Sequence, residues 1–315
     1  MMLVLAMLTN RCNLQCKLCN IWQEKKSTLN IQRLYKVLLE IISNDLKVSC
    51  LGITGGEPFL EEKNLQSVFK IIEPKLIKGD IFHFNITTNG SFPLRILKFI
   101  DKIPKDCINK LSFNVSLDGL EETHNYLRGK EVFKKVIISL DILKKFRIDT
   151  TINFVINPFN SAQIFNIYKL SSKLGFDFEL EIFNPNVPAY YHYLNRIKIQ
   201  NNNKNWRQVA VKEIESVLLQ KEVNFNKKQL IVLSNYLKTG DWNEVLIKNC
   251  KIPSSLLFIR ATGELYSCPH EPPLGKIEDF NYQKFLNRQK NLSLKIKNEG
   301  CRKCLSTMGS LSYVK

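Results

Sequence analysis

The sequence predicts an α/β protein: an open parallel barrel of six strands, followed by a small C-terminal unit made of a β-hairpin and a helix. Three observations lead there. Short apolar runs alternate with helical stripes from residue 3 to about residue 183, the pattern of repeated strand-helix units. Polar and glycine-bearing turn motifs fall just after several of the strand-like runs. The cysteines fall largely into two sets, one near the N terminus and one from residue 250 onward.

The strand-like runs are residues 3–8, 48–54, 81–88, 110–117, 150–156 and 176–183. Between them, Ile31, Leu34, Tyr35, Leu38, Leu39 and Ile42 form a 3.6-residue stripe within 29–43, and further helical patterns cover 62–73, 92–101, 130–146 and 160–173. Six strands with a helix after each of the first five imply right-handed crossovers and a parallel sheet. A closed eight-stranded barrel needs two more units than the chain supplies, so the barrel is partial, with functional groups at the carboxyl ends of its strands. Asn184-Pro185-Asn186-Val187-Pro188 breaks the alternation. The predicted organisation is therefore a barrel over 1–185, a helical bridge over 186–249 with helices at 206–220 and 227–238, and a C-terminal unit over 250–315. In that last unit, 256–260 and 264–267 flank Thr262-Gly263 as a hairpin.

A chain of 315 residues buries a full core without staples. Its 46 Lys plus Arg against 29 Asp plus Glu give a net charge of +17, which attracts polyanions. The charge is scattered, Lys, Asn and Ile are all abundant, and no nucleic-acid-binding motif accompanies them, so nucleic acid is disfavoured as a partner. The first apolar run, about eight residues with no basic segment before it, is too short for a membrane span and wrong for a secretory signal, so a cytoplasmic protein with no membrane partner is expected. In that compartment, clustered thiols among the nine cysteines read as metal ligands rather than disulfides.

Cys12, Cys16 and Cys19 place three thiols within eight positions, spaced C-x3-C-x2-C. Structural zinc takes four protein ligands, commonly as paired C-x2-C, whereas three soft ligands on one loop suit an iron-sulfur cube with one iron left open. Gly55-Gly56-Glu57-Pro58 follows the second strand, where two glycines permit close backbone approach and proline fixes the exit. Thr87-Thr88-Asn89-Gly90 ends the third strand and Ser116-Leu117-Asp118-Gly119 the fourth, with His124 and Arg128 close behind. Asn153 lies on strand five, as a ligand contact or as a strand residue satisfied by its neighbours. Glu179 and Glu181 share a face of strand six. Tyr190-Tyr191-His192-Tyr193 reads either as a lid over the open barrel end or as packing. Cys50 and Cys107 have no partner at ligand spacing and read as small apolar residues. Cys250, Cys268, Cys301 and Cys304 supply four thiols, enough for zinc or for a second cluster.

The cysteine loop after a first strand, joined by Gly55-Gly56-Glu57-Pro58 and Ser-Leu-Asp-Gly-x4-His-x3-Arg-Gly, resembles radical SAM enzymes. The order C, G-x4-C, C-x2-C at the other end is similar to the shortened SPASM or Twitch unit of that family. The resemblance implies a partial TIM-like (β/α)6 barrel followed by a Twitch-like domain. It implies a [4Fe-4S] cluster on Cys12, Cys16 and Cys19, and an auxiliary [4Fe-4S] cluster on Cys250, Cys268, Cys301 and Cys304. S-adenosyl-L-methionine is then contacted by Gly55, Gly56, Glu57, Pro58, Thr88, Asn89, Ser116, Asp118, Arg128 and Asn153. His124 is expected to be structural. Leu18 stands where the family usually has an aromatic residue near the adenine, which weakens that contact and leaves the cluster untouched. The activity implied is reductive cleavage of the cofactor to a 5'-deoxyadenosyl radical and hydrogen abstraction from a substrate, with flavodoxin or ferredoxin as electron donor. Net two-electron oxidation of a small alcohol or sugar is the first expectation; the alternative is maturation of a peptide or protein. A zinc-stabilised nucleic-acid-binding protein is the reading of another class, and it leaves residues 55–58 and 116–128 without a purpose.

Overall fold

The computed structural model describes residues 1–183, 205–220, 227–239 and 250–299. Its nine strands are β1 (Met2–Thr9), β2 (Val48–Gly55), β3 (Phe84–Thr88), β4 (Leu111–Ser116), β5 (Asp149–Ile156), β6 (Asp177–Ile182), β7 (Leu256–Ile259), β8 (Glu264–Tyr266) and β9 (Gly275–Lys276). Eleven helices accompany them: α1 (Ile31–Ser43), α2 (Glu62–Lys78), α3 (Pro93–Ile100), α4 (Lys105–Ile108), α5 (Glu121–Arg128), α6 (Phe133–Lys145), α7 (Ile164–Leu174), α8 (Trp206–Leu218), α9 (Lys227–Thr239), α10 (Ile252–Ser255) and α11 (Tyr282–Glu299). The six strands and five intervening helices predicted from periodicity are all present. Residues 184–188, 190–193, Cys301 and Cys304 lie outside the described residues.

The strands form one open sheet in the order β6-β5-β4-β3-β2-β1-β7-β8-β9, parallel from β6 to β7 and antiparallel thereafter. The expected hairpin and helix are there, but the hairpin hydrogen-bonds directly to β1, in the register Leu3 to Leu256 and Leu5 to Phe258. One sheet thus crosses the boundary predicted at residue 250.

Side-chain alternation divides the sheet into two faces. Val4, Ala6, Leu51, Ile53, Phe84, Ile86, Phe113, Val115, Ile152 and Phe154 are fully buried in the main core together with residues of the helices. The opposite face differs from edge to edge. On β3 to β6 it carries Asn85, Thr87, Asn114, Ser116, Asn153, Glu179 and Glu181, and Asn85 donates to Ser112 Oγ at 2.7 Å and to Asn114 Oδ1 at 3.2 Å. On β1, β7 and β8 it carries Met7, Leu256, Phe258 and Tyr266 in a second apolar cluster. Polar groups on the inner side of an open barrel remain wet unless a ligand covers them.

Three local outcomes differ from the pattern reading. The second helix runs through Pro74 to Lys78, because Leu76 is buried beyond it and Gly79 supplies the left-handed cap. Residues 121–128 form a helix in which only His124 and Leu127 are buried. Cys107 is buried as expected, whereas Cys50 is half-buried on the inner face of β2.

Phe59 is fully buried, edge-on to Phe99 at 6.0 Å and stacked on Phe113 at 6.2 Å. Phe59→Ala is expected to lower the unfolding free energy by about 3–5 kcal/mol in denaturant titration of the metal-free chain.

Candidate functional site

The carboxyl ends of β1 to β5 gather the predicted residues around the three-thiol loop. The loop leaves β1 at Thr9, where the register against β2 slips. Gly55 has φ 149°, and a Cβ on Gly55 or Gly56 would collide with the backbone of Thr9 or Arg11. Gly56 N–H donates to Thr9 O at 2.7 Å and Glu57 N–H to Arg11 O at 2.9 Å. The close approach these glycines permit is therefore to the start of the cysteine loop.

Glu57 is fully buried. Its carboxylate accepts from Phe59 N–H at 3.0 Å, Thr88 Oγ1 at 2.9 Å and Asn89 N–H at 2.8 Å. Burial pushes its pKa up to about 7, against the pull of those donors. The side chain predicted as a cofactor contact is thus committed to holding the ends of β2 and β3 together. Asn89 is committed as well: its Nδ2 donates to Asn13 Oδ1 at 3.0 Å and its Oδ1 accepts from Ser91 Oγ at 2.6 Å. That amide nitrogen also stands 3.9 Å from Cys12 Sγ.

The second support for the loop is α5. Lys17 N–H donates to Leu127 O at 2.8 Å, and Lys130 Nζ donates to Asn13 O at 2.6 Å. Arg128 places Nη2 2.6 Å from Asp118 Oδ2 and Nη1 3.9 Å from Cys16 Sγ, while its Nε is buried without a partner among the described residues. Burial acts to lower the Arg128 pKa, but Asp118 and Cys16 outweigh it and raise it, so the guanidinium stays charged. The planar fork is used inside the protein, which leaves Nε rather than both terminal nitrogens for a ligand. Asp118 is likewise occupied, because its Oδ1 accepts from Val155 N–H at 3.0 Å.

His124 is fully buried, and its Nδ1 accepts from Asp118 N–H at 3.1 Å. Burial and the nearby Arg128 lower its pKa well below the usual value, so it is neutral with the proton on Nε2. Its Nε2 is buried without a hydrogen-bond partner among the described residues. Ser116 is half-exposed at the end of β4, level with Asn153, whose Oδ1 is buried without a partner among the described residues.

The thiols themselves are half-exposed as whole residues. Burial pushes Cys12 up to about 11, Cys19 up to about 12 and Cys16 upward too, while Arg128 pulls each down. Thiols held protonated in this way become ligands when a metal centre displaces their protons. Among the described residues no three His, Cys, Asp or Glu side chains stand close enough to hold a single metal ion. Cys12 and Cys19 pack against the inner apolar cluster, and so does Cys250. Cys268 is buried two residues beyond Tyr266. The partnerless Arg128 Nε and Asn153 Oδ1, beside a three-thiol loop at the strand ends, fit a bound polar cofactor.

An open α/β barrel with thiols at the carboxyl end of its first strand defines a class of metal-dependent proteins. The sequence matches the radical SAM superfamily over residues 7–170, about half of the chain, and the chain belongs to that superfamily. The cofactors of its members are S-adenosylmethionine and a [4Fe-4S] cluster. A probable GTP 3',8-cyclase of Saccharolobus islandicus is 26% identical over 170 residues, 53% of this chain and 52% of that one. The chain thus spans about half the length of these curated relatives. A cysteine-type anaerobic sulfatase-maturating enzyme of Clostridium perfringens is 22% identical over 329 residues, covering 93% of this chain and 83% of that one. The crystallised protein anSMEcpe with bound AdoMet and Kp18Cys peptide shares the fold with TM-score 0.69 and 18% identity, over 96% of this chain and 89% of that one. Streptococcus suis SuiB bound to precursor peptide SuiA does so with TM-score 0.67 and 14% identity, over 94% and 66%. No described helix is long and apolar enough to cross a membrane.

Two substitutions probe the supports. Glu57→Gln turns an amide toward Asn89 N–H and is expected to lower stability by about 1–3 kcal/mol in denaturant titration. Arg128→Met strands the Asp118 charge in the interior, and a loss of about 3–5 kcal/mol is expected in the same assay.

Proposed function

We propose that this chain is an S-adenosylmethionine-dependent radical enzyme that modifies a side chain of a peptide or protein. What carries the substrate class is the extent of similarity: the sulfatase-maturating enzyme matches 93% of this chain, whereas the cyclase matches 53%. The two related folds solved with peptides support the same reading. These findings favour the maturase alternative over oxidation of a small alcohol or sugar.

In this reading Cys12, Cys16 and Cys19 ligate the [4Fe-4S] cluster, and the cofactor pair supplies homolytic abstraction of a hydrogen atom. The main chain of residues 55–58 borders S-adenosylmethionine, and Ser116, Arg128 Nε and Asn153 Oδ1 supply its polar contacts. Glu57, Thr88, Asn89 and Asp118 act one layer behind, holding the strand ends in register. The polar inner face of β3 to β6 suits a peptide segment, whose amide groups need partners once water is excluded.

The second centre is an auxiliary [4Fe-4S] cluster on Cys250, Cys268, Cys301 and Cys304, acting as electron acceptor. Cys250 shares one apolar wall with Cys12 and Cys19, which supports a centre close to the first. The barrel, helical bridge and C-terminal unit keep their proposed limits of 1–185, 186–249 and 250–315. The electron donor is a flavodoxin or ferredoxin.

Anaerobic reconstitution tests this. About eight irons per chain are expected for two cubes, whereas about four irons with one zinc would remove the acceptor role. Cys16→Ala is expected to abolish 5'-deoxyadenosine formation while the fold persists by circular dichroism. Mass spectrometry of peptides incubated with the wild-type enzyme should show loss of hydrogen. Turnover confined to small alcohols would refute the peptide reading.

A further inference from the structure

The three-thiol loop has a neck, and the neck is closed by the C-terminal hairpin. Residues 8–10 run beside 27–29: Leu29 N–H donates to Leu8 O at 2.8 Å, Asn10 N–H to Ser27 O at 3.1 Å and Thr9 Oγ1 to Ser27 O at 3.0 Å. Asn10, itself buried, ties the neck further through Nδ2 to Lys25 O at 2.6 Å and Oδ1 from Ser27 N–H at 2.6 Å. Arg260, at the end of β7, closes over this junction. Its Nη2 donates to both oxygens of Glu24, at 2.8 and 2.6 Å, and Ser27 Oγ donates to the next carbonyl, Ala261 O, at 3.0 Å.

The pair is sealed from water, with side-chain exposures of 3% for Arg260 and 8% for Glu24. Two charges taken out of solvent are a poor way to gain stability, since apolar residues of the same volume often do as well or better. What such a pair can give is one geometry, because separating the partners leaves a buried charge uncompensated. Arg260 Nε and Nη1 are buried together with the Tyr266 hydroxyl, and the guanidinium stands close enough to the phenol to pull its pKa down against burial. Glu24 is the carboxylate in direct contact with this guanidinium, whose charge also reaches Glu264 and draws its pKa down.

We infer that Arg260 is a positioning residue for the three-thiol loop: it locks Glu24 and thereby fixes the neck from which Cys12, Cys16 and Cys19 are presented, making the C-terminal hairpin part of the N-terminal cofactor site. The lock stands on contacts within the chain alone. Its consequence for S-adenosylmethionine rests on the function proposed above.

The test uses the full chain with Arg260→Gln, Arg260→Lys and the neutral pair Glu24→Gln/Arg260→Met. In the metal-free proteins, alkylation of Cys12, Cys16 and Cys19 is followed residue by residue by mass spectrometry. In the reconstituted proteins, the EPR spectrum of the reduced cluster is titrated with S-adenosylmethionine. Arg260→Gln and the neutral pair are expected to speed alkylation of Cys19 at least tenfold and to weaken S-adenosylmethionine binding at least tenfold. Arg260→Lys is expected to recover most of both. Wild-type alkylation rates and an unchanged EPR titration in a folded Arg260→Gln protein would overturn the inference. If that protein does not fold, the neutral pair, which strands no charge, decides by the same two readouts. A wild-type protein that gives no EPR response to S-adenosylmethionine would count against the proposed function, and the alkylation rates would still decide on the lock.

Discussion

Where β2 ends, the backbone of Gly55 and Gly56 lies directly against residues 9–11, and no side chain fits between them. Everything at the carboxyl end of the sheet is referred to this contact. It fixes the point at which the cysteine loop leaves β1, and two main-chain hydrogen bonds hold it there. Glu57 then carries the same constraint sideways to β3, and Asn89 returns it to Asn13 inside the loop. A chain of short polar contacts, rather than the apolar core, thus decides where the thiols stand. The core supplies rigidity behind it.

The inner face of the barrel is divided along its width. One part is lined by amides, hydroxyls and two carboxylates, the other by Phe258, Tyr266, Met7 and their neighbours. Cys12, Cys19 and Cys250 abut the apolar part. A radical reaction benefits from a dry wall near its metal centre, because excluding water suppresses side reactions. A polar substrate benefits from donors and acceptors on the opposite side. The two parts meet at β2, where Gly52 has no side chain and Leu5 of β1 fills the space a Cβ would take.

Much of this was legible in the sequence, for identifiable reasons. Apolar runs and helical stripes marked all six barrel strands, because burial on one face imposes period on the residues there. The cysteine spacing and the glycine turn located the site. Helix α5 escaped notice because it buries only His124 and Leu127, too few to make a stripe. What no motif discloses is that Glu57 and Arg128 also hold internal partners, Thr88 and Asp118. The pairing of Glu24 with Arg260 had no local signal at all, since the two lie 236 positions apart and neither sits in a motif.

The placement of β7 beside β1 also bears on biogenesis. β1 receives its second neighbour only when residues about 250 positions later emerge from the ribosome. During that interval one edge of the nascent sheet is open and its apolar inner residues, Leu3, Leu5 and Met7, lack the Phe258 and Tyr266 that later cover them. Unpaired edges of this kind recruit other strands and slow folding. An early collapse of β1 onto the wrong neighbour is therefore a hazard that lasts until β7 has emerged.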